Sequence, residues 1–314
     1  MIAIHTIECL SAEDLLANIR RSNGNWWEPC CSVSSWVFRG IGDADRWKLI
    51  PSAWREEQNG LQALIDRITK GGFPFALDTQ ATAFEKKPEL RRCCEWVSAE
   101  KEALFQFACT ANELGFDVDP GSYQRNRSPI IIKAINQLFS EQSSSKIAVM
   151  AQHHGIPTRL LDWSCNPMVA AFFAVSPLCR PSLSKRVCVW ALDTRHLTFQ
   201  GPDEKTFGPF QVLVNRPPRS TNQFLHSQSG VLTEVANQSA LTNYFLAHQS
   251  WPTLEYVIAL AESERPILVS YTLDSKHSDH LLTLLDREGI NHAALMPTLD
   301  NVAKTVRDRW LRET

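Results

Sequence analysis

The residues best suited to chemistry are concentrated in one short segment, residues 151–167, which reads AQHHGIPTRLLDWSCNP. About half of its side chains can donate or accept hydrogen bonds, yet Leu160, Leu161 and Trp163 are interleaved with them. A fully solvated loop would not need these apolar residues, so we expect the segment to be half-buried and rigid. Polar groups held in that way must be paired, either with each other or with a ligand. The segment is therefore either a structural polar network or a binding site.

The end of this segment predicts the start of a helix that continues over residues 168–174. Asn166 is a favourable N-cap, and Pro167 suits the first helical position. Such a helix would direct its free amides and the positive end of its dipole toward an anionic ligand. For Arg159 and Asp162 the simplest interpretation is an internal ion pair.

A second candidate is Arg39, which lies within the apolar run Trp36–Ile41, predicted to be a strand. A guanidinium in such a strand needs a carboxylate or a phosphate as its partner. Gly40, directly after it, permits a close approach of another backbone. Arg39 is therefore either an anion ligand or a structural bridge to Asp162 or Asp43.

A third candidate segment is 222–234, in which polar residues precede a predicted strand at 231–235. Gln228 and Glu234 lie at the two ends of residues 228–234, and both side chains could face the same cleft. His226, taken alone, is more typical of a loop than of a catalyst.

The segments that must position these residues show two kinds of sequence pattern. Residues 55–145 are mostly helical in pattern, whereas short β-branched and aromatic runs predominate before and after them. The fold class that follows is α+β, with a sheet built from both ends of the chain around a helical insertion. We expect strands at 36–41, 186–192, 210–214, 231–235 and 267–273, and helices from Ser11 onward and at 55–70, 88–114, 128–140, 145–153, 278–288 and 299–311.

Composition excludes several functional classes. With 44% hydrophobic and 21% charged residues, the chain of 314 residues is an ordinary globular protein. Its net charge of −2 gives no overall basic excess. No apolar run is long enough for a membrane helix, and the first residues do not resemble a signal peptide, so we expect a cytoplasmic protein.

The nine cysteines include two adjacent pairs and no CxxC spacing. We expect reduced thiols, mostly buried, and no metal framework. The sequence also contains no P-loop and no GxGxxG motif.

Several motifs resemble the FRG-domain family, which is named for its Phe-Arg-Gly signature. They are Phe38-Arg39-Gly40, Leu49-Ile50-Pro51-Ser52, the run from Gln152 to Ala174, Gln228-Ser229-Gly230, and the ending from Gly289 to Ala303. The resemblance implies an N-terminal strand and helix segment at 1–35, an FRG domain at 36–305 that contains the helical insertion lobe at 55–145, and a helix end at 306–314. At position 154 the family commonly has Tyr, so either His153 or His154 is the histidine of the site.

The order of these segments is also similar to the layout of NAD-consuming ADP-ribosyltransferases. That similarity implies a split β-sheet core, with NAD as the substrate and no metal. It implies two sets of site residues. NAD-binding residues would be Arg39, Gly40, His154, Thr158, Arg159, Ser164 and Asn166, and catalytic residues would be Glu234, His153, Gln228 and Asp162.

The function implied is transfer of ADP-ribose to a macromolecular acceptor with release of nicotinamide. We expect nucleic acid as the acceptor, DNA before RNA, and a role as a toxin or phage-defence effector. Two alternatives remain open. The chain is a non-catalytic module that binds a nucleotide or nucleic acid, or the polar segment serves only the structure. The sequence determines neither the acceptor nor the oligomeric state.

Overall fold

The computed structural model describes residues 3–26, 34–56, 60–70, 88–118, 146–176, 184–197, 207–216 and 230–312. Gln228 and the helix expected at 128–140 lie outside the described residues.

A seven-stranded mixed sheet forms the centre of the fold, in the order β1-β7-β4-β2-β3-β6-β5. The pair β1 and β7 is parallel, and the other neighbours are antiparallel. All five strands named from the sequence are confirmed to within a residue or two. The two further strands are β1, within the N-terminal segment, and β3, inside the polar segment. The strands are β1 Ile4–Cys9, β2 Trp36–Ile41, β3 Leu161–Ser164, β4 Arg186–Asp193, β5 Gln211–Asn215, β6 Gly230–Ala236 and β7 Leu268–Asp274.

Helices cover both faces of the sheet, which makes the protein a mixed α and β structure consistent with the α+β expectation. Three helices in the C-terminal half, Gln238–His248, Leu254–Ala259 and His292–Leu295, were not anticipated from the sequence. The helices are α1 Ala12–Ile19, α2 Gln62–Thr69, α3 Pro88–Glu113, α4 Lys146–His153, α5 Pro167–Val175, α6 Gln238–His248, α7 Leu254–Ala259, α8 Ser278–Arg287, α9 His292–Leu295 and α10 Leu299–Arg312. None of the described helices combines the length and the apolar character that crossing a membrane requires.

The alternation of side chains along β2 separates two apolar cores. Val37 and Ile41 pack in the core shared with α2, α3, α6 and α7. Phe38, between them in sequence, packs in the opposite core with α1, α5 and α8. Within the insertion expected at 55–145, the described residues form α2 and α3 and pack on the first of these faces.

The sheet opens between β2 and β3. These two strands share the single residue pair Phe38–Ser164, whereas β2 pairs with β4 along its whole length and β3 pairs with β6 along its whole length. Beyond Phe38 the two strands therefore diverge, and Arg39 lies at the point where they separate.

Helix α5 packs on β2 at an unusually short distance. A Cβ atom placed on Gly40 would lie 2.0 Å from the carbonyl oxygen of Ala170 and 2.5 Å from the backbone nitrogen of Ala174. Only glycine permits this approach, so the Gly of the Phe-Arg-Gly motif serves helix packing.

Candidate functional site

A cleft of about 530 Å³ lies where β2 and β3 diverge. This volume is within the range of small-molecule sites. Its walls come from β2, the loop that follows β2, the C-terminal end of α4, β3 and α5. The side chains that matter most for its chemistry are Arg39, Lys48, Arg55, His153, Asp162 and Ser164.

Arg39 is held at one side of this cleft, with its side chain 19% exposed. Its Nη1 donates a hydrogen bond of 2.6 Å to the carbonyl oxygen of Asp162 and lies 3.7 Å from Oδ2 of the same residue. Its buried Nε has no hydrogen-bond partner among the described residues. The guanidinium is therefore positioned by β3 while it retains a donor that an anion could satisfy.

The carboxylate of Asp162 is positioned by a short chain of polar groups. Nε2 of Gln152 donates to Oδ1 of Asp162 at 2.5 Å, and the hydroxyl of Thr158 donates to Oε1 of Gln152. The amide of Thr158 donates to Oγ of Ser52 at 3.2 Å. Thr158, expected to contact NAD, does not line the cleft; it orients Gln152 and, through it, Asp162.

Arg159 requires a correction of both expectations, since it forms no ion pair with Asp162 and does not line the cleft. Its Nε and Nη2 donate to Oε2 of Glu100 on α3, at 2.9 and 2.7 Å, and both side chains are buried. Nε1 of Trp54 donates to the other oxygen of Glu100 at 3.0 Å. Arg159 is buried, whereas the side chain of Asp162 is exposed, so the two side chains lie in different surroundings.

The two adjacent histidines lie in different surroundings. His153 lines the cleft, whereas His154 is exposed on the far side of the α4 C-terminus and stacks with Phe107 at a centroid distance of 6.3 Å. Burial, followed by the neighbouring His154, lowers the pKa of His153, and Asp162 opposes that change. The neutral form of the His153 imidazole is therefore favoured, and His154, expected among the NAD-binding residues, does not line the cleft.

Ser164 and Asn166 form the turn that begins α5. The amide of Asn166 donates to Oγ of Ser164 at 3.0 Å, and Oδ1 of Asn166 accepts from the amide of Met168 at 3.0 Å. The N-cap predicted from the sequence is thus confirmed. Ser164 also lines the cleft, while Asn166 serves the helix start.

Glu234, expected to be the catalytic carboxylate, is 3% exposed on β6 and does not line the cleft. It lies opposite Leu213 of β5, on the same face of β6 as Leu232, which packs in a third apolar cluster. Strand β3 stands between β6 and the opening, so the carboxylate at the cleft is Asp162 instead.

Sequence reasoning missed Lys48 and Arg55 as site residues. Both belong to the loop after β2, which buried Leu49 and Trp54 hold against the core. Burial, followed by the nearby charge of Arg39, lowers the pKa of Arg55. The Leu49-Ile50-Pro51-Ser52 motif could have indicated these two residues. It predicts an ordered loop, and polar residues close to such a motif in sequence have fixed positions.

The described lining of the cleft thus places three cations, Arg39, Lys48 and Arg55, against the single carboxylate of Asp162. Trp47 and Phe173 add aromatic surface to the same walls. Such a lining suits a ligand with more than one negative charge and a flat ring. The described residues contain no group of three His, Cys, Asp or Glu side chains that could hold a metal ion.

Comparison with protein families identifies the FRG domain, whose model matches residues 123–181. The matched range includes α4, β3 and α5, and with them Gln152, His153 and Asp162. No curated protein and no solved structure matches the chain. The motif-based prediction of the family is confirmed, and the chain carries an FRG domain.

Proposed function

We propose that the chain is an NAD-dependent ADP-ribosyltransferase whose active site is the cleft between β2 and β3. The observation that carries the proposal is the lining of that cleft, where Arg39 and Arg55 stand together with one carboxylate, Asp162. The two phosphates of NAD carry two negative charges, which these guanidiniums would neutralise. Trp47 and Phe173 would provide surfaces for its rings.

Two residues of the cleft match the chemical demands of the transfer. When the bond between ribose C1′ and nicotinamide breaks, its electron pair leaves with nicotinamide and positive charge develops on the ribose. The carboxylate of Asp162, held by Gln152, would stabilise that charge. The acceptor then attacks C1′ and loses a proton, which the neutral imidazole of His153 would accept.

The acceptor we propose is nucleic acid, with DNA first. Lys48 is exposed at the wall of the cleft, where it could contact a phosphate of the acceptor backbone.

The test is release of nicotinamide from NAD by the purified chain, measured with DNA, RNA or protein as the acceptor. We expect Asp162→Asn to lower turnover by about 100-fold, since it removes the charge that the transition state needs. Arg39→Lys should lower turnover by a similar factor and weaken NAD binding, because Lys lacks the guanidinium fork. Arg91→Lys is the matched control, as Arg91 is half exposed on α3 and pairs with Glu95 outside the cleft.

The position of Glu234 provides a second test. If Asp162 is the essential carboxylate, Glu234→Gln keeps its turnover. Loss of turnover in folded Glu234→Gln, with Asp162→Asn active, would contradict this assignment while it leaves the enzyme proposal intact.

A second candidate function, a non-catalytic module that binds nucleotides or nucleic acid, is favoured by one observation. The carboxylate expected on the late strand, Glu234, is buried away from the cleft. In that case NAD or an oligonucleotide would bind, Arg39→Lys would weaken binding, and no acceptor would produce nicotinamide.

A further inference from the structure

Helix α10 packs against the protein through its polar side. Thr305 is buried, and its Oγ1 accepts a hydrogen bond of 3.1 Å from the amide of Ala293. Nδ2 of Asn301 donates to the carbonyl oxygen of Met296 at 2.8 Å. Nε of Arg309 donates to Oδ2 of Asp286 on α8 at 2.8 Å. Polar contacts thus fix one side of this helix to α8 and α9.

The apolar side of α10 consequently faces solvent. Leu299, Val302 and Trp310 are 87%, 45% and 63% exposed. At about 100° per residue, these three share one arc of roughly 100° with Ala303 and Val306. Surface helices normally bury such a stripe, and a contiguous exposed apolar stripe marks an interaction site.

The charges beside the stripe indicate what covers it. Asp300 and Arg307 are seven residues apart, so they lie on the same flank of the helix. Among the described residues neither one forms an ion pair. When two copies of a helix pair antiparallel about a two-fold axis, the same flank of each copy meets. Asp300 of one copy then faces Arg307 of the other, and the contact occurs twice.

The apolar residues fit the same arrangement. With the two-fold axis near residues 304 and 305, Leu299 of one copy lies beside Trp310 of the other. Val302 and Ala303 then lie near Val306 of the second copy. A parallel pair would instead bring Asp300 and Arg307 opposite the other flank, where their charges would find no complement.

We propose that α10 is a self-association surface, through which two copies of this chain pair antiparallel about a two-fold axis. The surface is separate from the cleft, so the proposal does not depend on the proposed enzymatic function. A helix of 14 residues is about 21 Å long. An interface of that length is small, so we expect a weak dimer that forms only at high protein concentration.

Sedimentation equilibrium of the purified chain over a series of loading concentrations tests the proposal. We expect the average mass of the wild type to rise from monomer toward dimer. Trp310→Glu and Val306→Asp should remain monomeric at every concentration, because each places a charge in the stripe. The matched control is Leu114→Glu, since Leu114 is 72% exposed but distant in sequence, directly after α3; it should associate like the wild type. Unchanged circular dichroism would show that the variants are folded.

Exchanging the charges at positions 300 and 307 distinguishes an antiparallel pair from nonspecific hydrophobic association. Asp300→Arg or Arg307→Asp alone should raise the dissociation constant about 10-fold, because each places like charges opposite each other twice. The double variant with both changes should restore wild-type association.

Two outcomes would overturn the proposal. They are a wild type that is monomeric at all concentrations, and a double variant as weak as the single ones. If the monomeric wild type also binds vesicles of anionic phospholipid through Trp310, the stripe would be assigned to a membrane surface.

Discussion

Replacing Gly40 with alanine should disrupt the contact between β2 and α5, which positions both walls of the cleft. The new Cβ would lie 2.0 Å from the carbonyl oxygen of Ala170, whereas ordinary van der Waals contact begins near 3.4 Å. Helix α5 would therefore have to retreat by about 1.4 Å, since backbone atoms cannot rotate away as a side chain can.

Because α5 is tightly packed, moving it away from β2 costs a large amount of free energy. Eight of its nine residues are buried, and the side chain of Asn166 caps its first turn. Overpacking in a core usually costs about 1–3 kcal/mol. Because the obstruction here is backbone on a fully packed helix, we expect Gly40→Ala to lower the free energy of unfolding by about 3–5 kcal/mol.

Urea unfolding followed by tryptophan fluorescence measures this loss. Gly24→Ala is the matched control, because no atom lies within 4 Å of the position its Cβ would take. We expect its free energy of unfolding to stay within about 1 kcal/mol of the wild type. An unfolding midpoint of Gly40→Ala equal to that of Gly24→Ala would refute the close approach of β2 and α5.

Three further predictions concern buried ionisable groups. Glu100→Gln should destabilise the fold by about 3–5 kcal/mol, because it leaves the guanidinium of Arg159 buried without its counter-charge, and an added Arg159→Met should recover most of that loss in the same urea assay. The pKa of His153 is lowered from its ordinary 6.5, so the unfolded chain binds more protons between that value and the folded pKa. The contribution of His153 to the free energy of unfolding should therefore be fully present above pH 6.5 and be lost as the pH decreases through the folded pKa. If the free energy of unfolding changes with pH equally in the wild type and in His153→Asn, this prediction is wrong. Burial raises the pKa of both Cys93 and Cys94 to about 12, so iodoacetamide at neutral pH should label them only after urea is added, as mass spectrometry of peptides can show.

Local patterns determined the elements of this fold well. The N-cap at Asn166, the proline after it and the apolar residues of α5 predicted that helix because each signal acts within a few residues. The strand at 36–41 followed from its apolar run in the same way. Strand β3 was not predicted from the sequence, because its four residues are mostly polar or aromatic. They owe their strand conformation to pairing with β6.

The site was predicted in part, and for a physical reason. The sequence identified Arg39, His153, Asp162 and Ser164 as candidates, because a charged or polar group in an apolar context needs a partner wherever the chain places it.

Which partner each group finds depends on residues far away in the chain. Arg159 pairs with Glu100, 59 residues away, and Arg39 contacts Asp162, 123 residues away. Glu234 followed the expected order of segments, yet β3 lies between it and the opening of the sheet.

The sequence by itself thus determined the FRG domain, most of the strands and helices, and a short set of polar residues that require partners, since these depend on residue types and near neighbours. The tertiary structure alone decided which of them meet at the cleft. Strand order and the divergence of β2 from β3 are set by packing across the whole core, where a side chain's direction depends on pairings that local sequence does not record.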